Sequence, residues 1–201
     1  MSLESDPLVK ETSPQEATSL VDLLHSLNVD KHWDAIAFTD GSGSGPTEPG
    51  GYAACVVYRR KAGIQTITGW LSACSSQHAE VRAVYELATQ LHRQNSGQRS
   101  NGFQCHLVTD SKYVANRLAQ INKDPSKALA SKSHTLQWVG IQHASRYGVN
   151  IIPHHIGRNS NPLMSLADDL SRKTKLTSVD RTALVDECLV DCESNFKIYT
   201  Q

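Results

Sequence analysis

Ile36-Ala37-Phe38-Thr39-Asp40-Gly41-Ser42 is an apolar run that ends in Thr-Asp and a small residue, and Leu107-Val108-Thr109-Asp110-Ser111 repeats the pattern further along the chain. Side chains of a strand alternate between faces, so Asp40 shares a side with Phe38 and Asp110 with Val108. If the two runs are neighbouring central strands, both carboxylates emerge together at one face of a sheet. A simpler reading also fits each residue singly: an Asp that starts a turn or, for Asp110, caps the helix that follows.

Outward from these stretches, the chain divides by periodicity. Residues 14–27 carry Ala17, Leu20, Leu24 and Leu27 at helical spacing behind Pro14. The first strand runs over residues 35–38 and breaks at Thr39 into a glycine- and proline-rich loop. Strands at 52–58 and 64–71 complete a meander, joined by a basic turn. A helix follows at 77–93, then a strand at 103–109, a helix at 111–121, and a lysine-bearing segment at 122–133 that reads as an exposed insertion. A helix at 133–147, a strand at 149–154, a helix around 166–175 and an acidic helical tail at 178–192 end the pattern. Three successive strands followed by alternating helix and strand predict an α/β fold: a mixed five-stranded sheet, an antiparallel three-stranded meander plus parallel strands, flanked by helices.

Two more carboxylates fall where apolar residues belong. Glu80 lies one turn before Val84, on the stripe that carries Leu87 and Leu91. Asp168 sits in the apolar frame Leu166-Ala167-Asp168-Asp169-Leu170, where either aspartate could face inward. Buried charge is costly unless it is paired or bound to a cation. Four converging carboxylates are held together by hard divalent cations, which prefer oxygen ligands. A pair of such ions suits in-line phosphoryl displacement by water.

Composition narrows the class. The chain has 201 residues, 39% apolar and 20% charged, enough to build a globular core. No run approaches the roughly 18 apolar residues of a membrane span, and the start lacks a basic-then-apolar leader, so no membrane partner is expected. The net charge of zero conceals a segregation: −5 over residues 1–34, +1 over 35–98, +7 over 99–175 and −3 over 176–201. A basic body between acidic ends suits a polyanion binder. Cys55, Cys74, Cys105, Cys188 and Cys192 are odd in number, with no second pair at zinc spacing, which favours a reducing, cytoplasmic setting.

In order and context these segments resemble the type 1 ribonuclease H family. The first motif of that family is matched by Thr39–Ser42, the glycine- and proline-bearing residues 43–49 and Gly50-Gly51-Tyr52-Ala53. Its helix motif is matched by His78-Ala79-Glu80-Val81-Arg82-Ala83, its third by Thr109-Asp110-Ser111-Lys112-Tyr113-Val114, and its last by Ala167-Asp168-Asp169-Leu170-Ser171. The likeness spans about residues 34–175. It implies an RNase H-like catalytic domain at 34–176, between an acidic N-terminal extension at 1–33 with a helix and an acidic helical extension at 177–201.

The resemblance further implies an endonuclease that hydrolyses the RNA strand of RNA/DNA hybrids with two Mg²⁺ ions, Mn²⁺ being an alternative, and leaves 5′-phosphate and 3′-hydroxyl ends. Asp40, Glu80, Asp110 and Asp168 are then the metal ligands and catalytic carboxylates. Gly41, Ser42, Gln77 and Ser111 are candidates to contact the hybrid, with Gln77 in the place of a family Asn that touches RNA 2′-hydroxyls. Many members carry a histidine in the loop before the last Asp. Here an Arg-x-x-Asn arrangement, Arg158 with Asn161, is similar to that of other members, which makes Arg158 a catalytic candidate and Asn161 a substrate contact. His154 and His155, at a strand end, read as structural residues. Basic residues around 117–132 would grip the other strand's phosphates. The expected molecule is a monomer. The competing readings are a nuclease of the same fold acting on other nucleic acids, and a non-catalytic hybrid- or RNA-binding module.

Overall fold

A computed structural model of the chain describes residues 20–29, 32–45, 47–95, 102–130, 132–158 and 161–176. The acidic tail and Cys188 and Cys192 lie outside the described residues, as does the first part of the helix expected at 14–27. Its described portion is α1 (Leu20–Ser26).

The central sheet is built from β1 (Ala35–Gly45), β2 (Gly50–Tyr58), β3 (Ile64–Leu71), β5 (Phe103–Thr109) and β6 (Val149–His155), in the order β3-β2-β1-β5-β6. The meander β1–β2–β3 is antiparallel, whereas β5 pairs parallel with both β1 and β6. The mixed five-stranded sheet expected from the sequence is therefore present. A two-residue β4 (Cys74–Ser75) adds a short pairing with the far end of β1, at Ser44 and Gly45.

Alternation along the strands sorts the core into two layers. Ala35, Ala37, Cys105 and Leu107 face α2 (Ser76–Asn95), α3 (Lys112–Lys123) and α4 (Thr135–Arg146), packing with Val84, Leu87, Leu118 and Trp138. Ile36, Phe38 and Val108 face the other way, onto α5 (Pro162–Leu176) and α1, packing with Leu163, Leu170 and Leu23. Each fully buried Leu or Phe contributes about 1.5–3 kcal/mol, so both faces hold the sheet firmly.

Three boundaries differ from expectation. The break expected at Thr39 is absent: β1 continues to Gly45, because Asp40 pairs with Ala53 and Gly43 with Gly50, a glycine-to-glycine approach that side chains would obstruct. The last helix begins at Pro162, four residues before the expected apolar frame, because Asn161 caps it: its Oδ1 accepts from the Leu163 amide at 2.9 Å. The segment 122–133 is not one exposed insertion. It finishes α3, makes a 3₁₀ turn (Pro125–Ala128) and buries Ala128, while Lys123, Lys127 and Lys132 remain exposed.

Candidate active site

The parallel register places Thr39 beside Thr109, so the residues that follow them, Asp40 within β1 and Asp110 just past the end of β5, lie at the same level. Asp40 lies within β1 and is 5% exposed. It faces α5, where Ser171 Oγ donates to Asp40 Oδ2 at 2.6 Å. Asp168 is one turn earlier on the same helix, buried, while Asp169 is exposed. That settles which of the two aspartates faces inward.

Glu80 arrives from the opposite layer. Gly41 makes this possible: a Cβ there would collide with the backbone of Ala79 and Glu80, so α2 can lie against β1 only because residue 41 has none. Ser111 Oγ donates to Glu80 Oε2 at 2.5 Å, and also accepts from the Val114 amide as the N-cap of α3. Ser76 Oγ donates to the Gly41 carbonyl at 3.2 Å and approaches Glu80 Oε1 at 3.5 Å. One hydroxyl, that of Ser111, thus ties the carboxylate of α2 to the start of α3.

These carboxylates feel one another. Burial raises the Asp40 carboxyl above its ordinary value; the Ser171 hydrogen bond opposes that, and the charges of Asp110 and Asp168 add to it. Burial likewise raises Glu80, against the Ser111 hydrogen bond, with Asp110 and Asp40 as the repelling neighbours. Such mutual repulsion is what a divalent cation relieves. The set is all oxygen, which fits Mg²⁺ or Mn²⁺ and suits neither a thiolate nor an imidazole metal. Among the described residues no three ligating side chains converge on one point as they stand. A guanidinium is interposed: Arg158 Nη2 bonds Asp168 Oδ1 at 2.9 Å and Arg158 Nε lies 3.9 Å from Asp110 Oδ2.

The other expected residues fall as follows. Gln77 is exposed on the first turn of α2. Ser42 is partly exposed on β1, paired with Gly51. Asn161 is buried and occupied with capping α5. His155 Nε2 contacts the Asp110 carbonyl at 3.2 Å, while His154 stacks on His106 and shares a 2.8 Å hydrogen bond with it. Two partners escaped the sequence reading: Ser171, which holds Asp40, and Arg172, whose Nη2 bonds Asp168 Oδ2 at 2.8 Å. Their i+3 and i+4 spacing from Asp168 was the available signal, since residues so spaced share a helix face.

Along α3 runs an open groove of about 380 Å³, lined by Tyr113, Asn116, Arg117, Gln120, Lys132 and Ser133. Its basic residues come from α3 and the segment after the 3₁₀ turn.

The RNase H family profile matches residues 32–174, and the chain belongs to that family. It is thereby a ribonuclease H, the class to which its sheet order and carboxylate placement already pointed. Among solved structures it is similar to LC11-RNase H1, isolated from compost by a metagenomic approach: 18% identity and a TM-score of 0.57, covering 74% of this chain and 100% of that one. The same protein has been solved in complex with RNA/DNA hybrid, with a TM-score of 0.58. RNase H1 of the halophilic archaeon Halobacterium salinarum is 17% identical, with a TM-score of 0.52 and coverage of 70% and 96%. At these identities the likeness concerns the fold. No curated protein is similar enough to match.

Proposed function

We propose that this ribonuclease H hydrolyses the RNA strand of RNA/DNA hybrids through two divalent ions, leaving 5′-phosphate and 3′-hydroxyl ends. The observation that carries the reading is the mutual repulsion of carboxylates borne by separate elements: Asp110 and Asp168 act on Asp40, and Asp110 and Asp40 act on Glu80. Asp40, Glu80, Asp110 and Asp168 would hold the ions, Mg²⁺ or Mn²⁺. Held there, such ions would supply the activation of water for in-line attack and the charge to stabilise the leaving oxygen.

The protein's part is geometry and charge. Ser171 fixes the Asp40 carboxylate and Ser111 fixes Glu80, so that neither turns away when its neighbours are neutralised. Gln77, Gly41, Ser42 and Ser111 would meet the 2′-hydroxyls that identify an RNA strand in a paired helix. Arg117, Lys123, Lys127 and Lys132 offer charge to the phosphates of the other strand without reading sequence. Support for the hybrid as substrate comes from the LC11-RNase H1 complex. The burial of Cys55, Cys74 and Cys105 within the core agrees with a reducing, cytoplasmic location.

The test is a comparison of substrates of one sequence: hybrid, duplex RNA and duplex DNA. Cutting confined to the RNA strand of the hybrid is expected. Equal cutting of duplex RNA or DNA would establish a broader nuclease of the same fold. Binding without cutting would reduce the chain to a recognition module.

A further inference from the structure

We propose that Arg158 is a built-in cation that closes the Asp168–Asp110 end of the site to metal until a substrate phosphate draws it away, so that metal loading and hybrid binding are coupled. This rests on the two-ion reading above.

Asp168 meets a guanidinium at each oxygen: Arg158 at Oδ1 and Arg172 at Oδ2. The two arginines differ in what they span. Arg172 lies one turn along the same helix and pairs with Asp168. Arg158 comes from the loop after β6 and reaches Asp168 and Asp110, and its charge also acts on Asp40. One guanidinium therefore stands against two carboxylates, Asp168 and Asp110, that a divalent ion would otherwise serve. A dication entering there meets a fixed positive charge and must displace it.

The side chain is able to leave. Arg158 is 58% exposed, against 12% for Asp168. Guanidinium binds phosphate in a two-pronged fashion at least as well as it binds carboxylate. A hybrid laid across the site thus competes with Asp168 for Arg158 and frees the carboxylate for the ion. By linkage, metal then tightens hybrid binding by the factor by which hybrid tightens metal binding.

The test is Mn²⁺ binding to the full chain, followed by electron paramagnetic resonance of the free ion at fixed ionic strength. It is run with and without a hybrid whose RNA strand carries phosphorothioate linkages, shown intact by gel. Without hybrid, Arg158→Gln is expected to bind Mn²⁺ about tenfold more tightly than wild type, equivalent to about 1.4 kcal/mol. Arg158→Lys, which keeps the charge but loses the fork, falls between them, and Arg172→Gln changes less. Hybrid should tighten Mn²⁺ binding strongly in wild type and little in Arg158→Gln. A merely structural arginine would show the opposite, weaker Mn²⁺ binding on substitution. Unchanged or weaker Mn²⁺ binding by Arg158→Gln and Arg158→Lys, at a site that Asp110→Asn removes, overturns the gate and leaves the two-ion reading standing. Mn²⁺ binding indifferent to Asp110→Asn overturns both.

Discussion

Asp40 sits in the middle of a strand with apolar neighbours on its own face, and a single hydroxyl decides where its carboxylate points. Removing the outer partner of a metal ligand typically costs about 10–100-fold in metal affinity or activity. We expect Ser171→Ala to lose turnover on that scale, read as the initial rate of hybrid cleavage at limiting Mg²⁺; an undiminished rate would deny Ser171 its positioning role. Ser111→Ala has two effects, because the same oxygen caps α3 and holds Glu80. Stability should fall by about 1 kcal/mol, seen in urea titration, for the missing cap. Turnover should fall with it, where a capping role alone would leave activity intact. Gly41→Ala pushes α2 off β1 and should lower both the melting temperature and activity, with melting followed by circular dichroism. Carboxylates and glycines at such points are visible in the sequence. Ser171 and Arg172 are harder to see, because a serine or an arginine on a helix is ordinary until its neighbour three or four residues earlier is known to face inward.

At the scale of elements, most strands and helices follow from periodicity, and β3 and β5 have the expected bounds. The boundaries that differ have local causes. Glycine and serine after Asp40 signal a loop, yet the pairing of Gly43 with Gly50 uses their lack of bulk to continue the strand. Asn161-Pro162 signals a helix start, but the apolar frame that draws the eye begins only at Leu166. The β5–β6 pair adds a feature that no spacing reveals: His106 and His154, stacked at 5.1 Å. Burial, and then the neighbouring imidazole, lowers His154 from 6.5 to about 4. The unfolded chain takes up that proton at higher pH than the folded one. The pair's contribution is therefore present above pH 6.5 and lost as pH falls toward 4. Melting temperature should decline over that interval, and His154→Asn should flatten the slope. The carboxylates act with the opposite sign. Because Asp40 is raised, its charge costs stability in the metal-free protein as pH rises through its folded value, so Asp40→Asn should melt higher than wild type at pH 7 in EDTA. A lower melting temperature would mean that the Ser171 bond outweighs burial and repulsion.

Over the whole molecule, the basic middle of the chain folds into the nuclease body, and the groove beside α3 gathers part of that charge. Hybrid affinity should fall steeply with salt. Replacing Arg117 or Lys132 with Ala should lower the slope of log affinity against log salt by about one for each phosphate that the variant no longer neutralises. An unaltered slope would place the phosphates elsewhere. The fold class, and the four carboxylates as candidate ligands, are legible because each motif carries its own chemistry and the motifs come in a fixed order. How the carboxylates are braced, and by which arginines, depends on distances between elements far apart in sequence, which no local pattern encodes. The most direct measurement is cleavage of a hybrid labelled on its RNA strand, with Mg²⁺ and with EDTA, by wild type and by Asp110→Asn. The carboxylate account predicts Mg²⁺-dependent cutting of the RNA strand that Asp110→Asn reduces by at least about 100-fold, the upper range for loss of even an outer metal partner. Cutting that persists in EDTA, or an Asp110→Asn variant as fast as wild type, would contradict it.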